Sequence, residues 1–412
     1  MKVLHVSTYD IYGGAARAAY RLHEALLNEN VDSKILVQSK SGDDDLVLVS
    51  KSKIVRLFNK LRPAFDSLPL VRYSDRSRVL FSPAWLPFSD VVKKINEVKP
   101  DIVHLHWLCD GMVSVDELAK ISVPVVWTLH DMWAFTGGCH YSEGCEKFKH
   151  GCNGCPLLKK GDKKDLSSWV MRRKEKSFSR IPSLTLVGVS QWLEREAKES
   201  FLFANRQAIS IPNPINTNIY RPVDRNVARR LLDLSPDKKI VLFGAMGAES
   251  DARKGYSKLV EALAALNVND VELVIFGSSP PRIQDGDLKG VHYLGRLYDD
   301  LSLCIAYSAA DAMVVPSLQE AFGQTASEAM SCGTPVVAFD TTGLKDIVDH
   351  KINGYLAKPF EAIDLAKGIE WVLHNSNHTQ LSKNAREKVV NQFDYAVVGE
   401  KYCALYQSLL NS

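Results

Sequence analysis

An α/β fold with two parallel sheets is what this sequence predicts, on three observations. Short β-rich runs alternate with amphipathic helical stretches from the first residues onward, and such alternation implies parallel sheets. The alternation restarts after IPNPINTNIYRPVD, where Pro212, Pro214 and Pro222 exclude a helix and mark a connection. At 412 residues the chain also exceeds the roughly 250 to 300 at which a single core stops growing. The expected domains are therefore 1–214 and 215–390. The last stretch, 391–412, carries FDYAVVGEKYCALYQSLL, a helix pattern with no strand after it that is expected to cross back to the first domain.

The elements follow in order. VLHVS reads as a strand, AARAAYRLHEALL as an amphipathic helix, and SKILVQS, DIVHLHW, VPVVWTLH and SLTLVGVS as further strands. The second half repeats this grammar with KIVLFGA, the helix KLVEALAAL, then VELVIFGS, GVHYLG, DAMVVPS, TPVVAF and GYLA. Ligands of open parallel sheets lie beyond the carboxyl ends of the strands. Two such sheets facing each other predict an interdomain cleft lined by strand-to-helix loops, so residues that do chemistry should follow strands.

Composition bounds the function. Hydrophobic residues make up 46% and charged residues 24%, the balance of a soluble globular protein. A formal net charge of +3 is too small to argue for nucleic acid. The opening MKVLHVSTYD lacks the apolar stretch of a signal peptide or membrane helix, so a cytoplasmic protein is expected. Eight cysteines fall far below the density of a disulfide scaffold, and Cys109, Cys304, Cys332 and Cys403 read as buried reduced thiols.

The densest chemistry lies in PSLQEAFGQTASEAMSCGTPVV, Pro316 to Val337. DAMVVPS is the strand, QEAFG the loop, and TASEAMSC a helix closed by Gly333 and Pro335. The amides at that helix start favour an anion such as a phosphate, and Gly323 allows close approach to the backbone. Glu320 and Glu328 flank this point. Unpaired carboxylates in a cleft are costly, and sugar hydroxyls would satisfy them without neutralising them. Phosphate plus sugar is the reading, one glutamate taking a ribose diol and the other a second sugar.

Three further loops support it. FGAMGAESDARKGYSKLVEAL carries Arg253 and Lys254 at the end of a glycine-bearing loop, where two cations would balance the charge on a departing diphosphate. TYDIYGG places Gly13 and Gly14 before a helix, where a diphosphate or an acceptor could come close; without a third glycine it is not the dinucleotide fingerprint. VPVVWTLHDMW places His130 and Asp131 at a strand end, where a histidine can donate to a hydroxyl or phosphate and the adjacent acid can fix its tautomer. His104 and His106 share one strand face and read as packing or cleft wall, not as a metal pair.

The run Glu320-Ala-Phe322-Gly323, seven residues between the two glutamates, then AMSCGTPVV, resembles the signature of the retaining glycosyltransferases of family 4, which have the GT-B fold. The glycine loop, the HD segment, TGLKDIV and NGYLA extend the resemblance over nearly the whole chain. It implies two facing Rossmann-like, doubly wound domains and a nucleotide-sugar donor (UDP- or GDP-sugar) held mainly by the second. Glu320 is then expected to hold hydroxyls of the donor sugar, Glu328 the ribose, and the amides of Phe322, Gly323, Gln324 and Thr325 the diphosphate. His130 would contact the donor sugar, Lys254 matches the family lysine, and Gly14 is the likelier glycine contact. The family arginine is absent where Gly244-Ala245 stands, so Arg253 would replace it from another position. The expected activity is metal-independent, retaining transfer to a glycan or lipid-linked acceptor in bacterial polysaccharide biosynthesis. A nucleotide-sugar epimerase, a phosphorylase or a non-catalytic nucleotide-sugar-binding protein on the same fold are the alternatives.

Four segments stand apart from this. The loop 137–156 holds Cys139, Cys145, Cys152 and Cys155, and four thiolates suit structural zinc, although only Cys152-Asn-Gly-Cys155 has knuckle spacing. Two disulfides or free thiols are the other arrangements. KSKIVRLFNKLRPAF from Lys51, and the basic run from Lys159 and Lys160 to Arg180 with Trp169, Val170 and Phe178, would suit an anionic bilayer surface or simply a solvated helix face. Asp43, Asp44 and Asp45 follow no apolar strand and read as a solvated turn.

Overall fold

The computed structural model describes the chain except residues 51, 160–161, 245–246, 248–250, 267–269, 279–289 and 412, and the side chains at 53 and 54. Lys51, Lys160 and Ala245 lie outside the described residues. Both parallel sheets expected from the alternation are present. The first contains β1 (Lys2–Tyr9), β2 (Asp32–Ser39), β3 (Val47–Leu48), β4 (Ile102–Leu105), β5 (Val125–Leu129), β6 (Leu184–Gly188) and β7 (Gln207–Ser210), in the order β3-β2-β1-β4-β5-β6-β7. The second contains β8 (Lys239–Gly244), β9 (Val271–Phe276), β10 (Val291–Gly295), β11 (Ala312–Val315), β12 (Val336–Phe339) and β13 (Gly354–Ala357), in the order β10-β9-β8-β11-β12-β13. The paired neighbours run parallel throughout. Two edge strands, β3 and β7, escape the sequence reading, because two residues carry no periodicity and QAIS is only weakly apolar.

Central strands are apolar on both faces because helices cover both. VVWTL of β5, AMVV of β11 and VVAF of β12 are buried throughout. By packing, the chain divides into one unit of Met1–Pro214 with Val398–Ser412 and a second of Ile215–Val397. The terminal helix Tyr395–Leu410 supplies Val398, Tyr402 and Tyr406 to the first unit's core, beside Val3, Leu22, Ile102 and Val126. In the second unit Val241, Phe243, Ile275, Val314 and Val337 pack with Leu259 and Ile369 from flanking helices.

Strand order fixes where each sheet opens. In the first, β1 lies between β2 and β4, so the chain winds outward in both directions from β1/β4; in the second the corresponding point is β8/β11. Loops leaving two such neighbouring strands diverge and open a crevice at their carboxyl ends.

Candidate functional site

In the second unit the β8/β11 point brings Lys254 and Glu320 together. After β11 the chain runs to the helix Gln324–Ser331, whose start is capped by Gly323 at φ 106 with no side-chain hydrogen bond. Ala326 and Ser327 N–H donate to the Gly323 carbonyl, so the amides of Gln324 and Thr325 stand at the helix mouth. Glu320 is pinned through its backbone: its N–H donates to Thr342 Oγ1 at 3.0 Å and its carbonyl accepts from Gly343 N–H at 3.0 Å. Its carboxylate accepts from Ser317 Oγ at 3.0 Å and from Lys254 Nζ. Phe322 is buried, its ring edge-on to Phe393 with centroids 5.4 Å apart.

The loop after β8 reaches this point because Gly255 lets it. At φ 70, a Cβ on Gly255 would lie 1.9 Å from the Pro316 carbonyl oxygen, and Leu318 N–H donates to the Arg253 carbonyl at 2.7 Å. Arg253 pairs with Asp251 at 2.5 Å. Burial pushes the Glu320 carboxyl up, but Lys254, Arg253 and the Ser317 hydroxyl together hold it below the usual carboxylate range. It is ionised at neutral pH. Glu328, one helical turn in, is buried and accepts from Tyr307 Oη at 2.6 Å. Burial, then Glu328, pushes the Tyr307 phenol far up, so it stays a donor.

In the first unit Gly13 caps the helix Gly14–Asn28 at φ 88, ψ 167, a region essentially closed to other residues. No heavy atom lies within 4 Å of its notional Cβ, so the demand there is conformational. Gly14 is exposed. His130 follows β5 and is partly exposed, but its partner differs from the one expected. Asp131 accepts from Trp107 Nε1 at 3.0 Å and Trp133 N–H at 2.8 Å and lies 2.6 Å from His140 Nδ1. Its carboxylate is committed there, and His130 Nε2 instead faces His106 Nδ1 at 3.0 Å. His106 Nε2 faces His5 Nδ1 at 2.9 Å, and His104 lies between the hydroxyls of Thr128 at 2.7 Å and Tyr406 at 2.6 Å. Reading His106 as wall packing missed this. The available signal was the period of two in HVS, HLH and TLH, which puts His5, His104, His106, Thr128 and His130 on one sheet face. Burial holds the His130 ring at about 4, against the pull of Asp131, and pushes His5, His104 and His106 well down.

The zinc expectation is not supported. Cys139, Cys145, Cys152 and Cys155 are free and line one small cavity with Phe81 and Phe148. Among the described residues, the one group of three or more His, Cys, Asp or Glu whose ligand atoms converge within 4.8 Å is His5, His104 and His106. The wide first spacing puts Cys145 on a turn closed by its own N–H to the Ser142 carbonyl, while Cys139 and Cys155 pack among Leu70, Phe81 and Leu158. Asp43 and Asp45 are exposed, and Asp44 accepts from Leu46 N–H at 2.8 Å and Tyr20 Oη at 3.0 Å, as a turn residue does.

The two basic stretches part company. In the helix Leu166–Phe178, Val170 and Phe178 are core residues and buried Lys174 donates to the carbonyls of Trp133 and Thr136. That stretch has little apolar surface to offer a bilayer. In Lys53–Asp66 and the residues after it, Leu57, Phe58, Leu61, Phe65, Leu68 and Val71 are all exposed.

Comparison with known proteins bears on both units. The family model described as Glycosyltransferase Family 4 matches residues 12–219, and that of Glycosyl transferases group 1 matches residues 225–388. The chain is similar to the putative colanic acid biosynthesis glycosyl transferase WcaC of Escherichia coli, 24% identical over 433 residues and covering 99% of this chain and 100% of that protein. It is similar to phosphatidyl-myo-inositol mannosyltransferase of Mycobacterium leprae, 25% identical over 412 residues and covering 98% and 96%. In structure it resembles HepE of Anabaena, crystallised in complex with UDP and glucose, with a TM-score of 0.67, 19% identity and coverage of 99% and 100%.

Proposed function

Because the chain belongs to glycosyltransferase family 4, whose model spans more than half of it, we propose that it transfers a sugar, with retention, from a nucleoside diphosphate to an acceptor hydroxyl. The observation that carries the reading is the Lys254–Glu320 pair at the β8/β11 point, beside a glycine-capped helix start. Cation, amides and carboxylate there match the diphosphate and hydroxyls of one donor. The UDP and glucose held by HepE support a nucleotide-sugar donor. Lys254 meets the diphosphate, with Arg253 nearby; Gly323, Gln324 and Thr325 offer amides; Glu320 takes sugar hydroxyls and Glu328 the ribose. On the first unit, His130 donates to the sugar or phosphate, and Gly13 and Gly14 leave room for phosphate or acceptor.

In the transfer the acceptor oxygen bonds to the anomeric carbon on the face from which the diphosphate leaves. The carbon–oxygen bond to the diphosphate breaks with its electron pair going to the phosphate oxygen, which takes the acceptor's proton. The cation stabilises the leaving charge where it develops, and no metal is assigned a step. Calorimetric titration with UDP, GDP and ADP tests this. One diphosphate should bind, and Glu328→Ala should weaken it about 10- to 100-fold, the loss expected for a charged hydrogen bond. Binding of none, or equal binding by the variant, removes the donor-site reading.

The names of WcaC and the mannosyltransferase support an acceptor in polysaccharide or glycolipid synthesis. The exposed apolar row from Leu57 to Val71, with Arg56 and Lys60 beside it, would hold the protein against an anionic leaflet where a lipid-linked acceptor lies. Sedimentation with vesicles containing anionic lipid should pull the protein down, and Leu57→Glu with Leu61→Glu should reduce the bound fraction at least tenfold. Equal sedimentation of the variant would reject a membrane role for this row.

A further inference from the structure

We propose that His5 and His106 are positioning residues for His130, the three rings forming one imidazole chain in which all must share a single tautomer. The chain is read from two contacts, His130 Nε2 to His106 Nδ1 at 3.0 Å and His106 Nε2 to His5 Nδ1 at 2.9 Å. A neutral imidazole has one N–H and one lone pair. If His130 donates from Nε2, His106 accepts at Nδ1 and donates from Nε2, so His5 accepts at Nδ1 and keeps its proton on Nε2. Reversed, all three carry the proton on Nδ1. No mixed arrangement of neutral rings keeps both bonds.

The buried end of the chain selects between the two. His5 Nε2 is fully buried with no hydrogen-bond partner among the described residues. A stranded N–H is rarer in protein interiors than an unused acceptor, so His5 Nε2 is the bare nitrogen and the chain runs in the Nδ1–H form. His130 then presents an Nδ1–H donor, suited to a sugar hydroxyl or a phosphate oxygen. His104 braces the stack: its ring lies 4.3 Å from that of His106 and 4.9 Å from that of His5, and both its nitrogens are engaged by hydroxyls. His5 and His104 are register partners on β1 and β4, so the sheet itself fixes the stack. Burial disfavours an imidazolium at any of these rings, which keeps the chain neutral.

The consequence for transfer rests on the proposed function; the shared tautomer does not. Histidine labelled with ¹⁵N and read by long-range ¹⁵N–¹H correlation at neutral pH reports each ring's tautomer in the unmodified protein, with His130→Gln and His106→Gln giving assignments. His5, His106 and His130 should all be Nδ1–H. Two rings in different tautomers, a shared Nε2–H form, or zinc taken up from buffer with displacement of these ring signals would each overturn the proposal. His106→Phe should leave His130 in both tautomers and lower kcat/KM about tenfold, the scale of losing a group that orients a functional histidine. His106→Gln, whose amide can both donate and accept, should recover most of it. Unchanged kcat/KM in His106→Phe would remove the positioning role. A shared Nδ1–H tautomer in a protein that binds no nucleoside diphosphate would support the chain and count against the transferase reading alone.

Discussion

Glu320→Gln should lower kcat/KM for glycosyl transfer about 10²- to 10³-fold, the cost of removing one preorganised charged group from a transition state. Glutamine keeps the shape and can still meet Ser317, so the melting temperature should move only a few degrees. What is lost is the charge that organises Lys254. Lys254→Met should cause a similar loss, and the double variant should lose much less than the product of the two, because each partner acts through the other. The acid limb of the pH profile follows from the direction of the Glu320 shift. Its folded value lies below the usual carboxylate range, so the pair's contribution is present above the ordinary carboxyl value and disappears as pH falls through the folded one. Activity at pH 5 should therefore still show the difference between wild type and Glu320→Gln. A variant within threefold of wild type at neutral pH would show that no donor group meets this carboxylate.

Much of this site was legible in the sequence, because it sits where chain-local rules apply. A strand ending at Val315, a glycine at 323 and a helix closed by Gly333 are short-range signals, and they put Glu320 and the helix amides in place without knowledge of the fold. Strand alternation likewise sufficed for two parallel sheets. The parts that were hidden depend on pairing between distant strands. The strand-end position of His130 is legible but its partner is not, since Asp131 is adjacent in sequence whereas His106 is adjacent only through the β4–β5 register, in which His104 opposes Val126. The place of Lys254 at the end of its loop is likewise legible, but that it bonds Glu320 needs the β8–β11 pairing. In the Cys-rich loop close spacing does bring the four cysteines to one small cavity, but among the described residues it does not bring three of their sulfurs within 4.8 Å of one another, which spacing alone does not reveal. In the basic run to Arg180, counting cations does not reveal that Val170, Lys174 and Phe178 face the core while Trp169 stays exposed.

Gly255→Ala should lower the melting temperature by about 10 °C and take most of the transfer activity with it. The left-handed conformation at φ 70 costs a non-glycine residue roughly 1 to 2 kcal/mol. A Cβ placed 1.9 Å from the Pro316 oxygen cannot be absorbed by a rotamer change, since both groups are fixed to backbone, and overpacking of this kind costs about 1 to 3 kcal/mol more. For a unit of this size each kcal/mol is worth about 2 to 4 °C. Relief requires the loop carrying Arg253 and Lys254 to draw back from β11, which stretches the Leu318–Arg253 bond and withdraws Lys254 from Glu320. Gly295→Ala separates the two terms. Its φ is 66 and nothing lies within 4 Å of a notional Cβ, so only the conformational cost applies and the loss should be near 3 °C with activity retained. If the two alanine variants melt alike, the approach at Gly255 is not a tight one. If Gly255→Ala melts low but keeps full activity, Lys254 does its work without being held against the loop that follows β11.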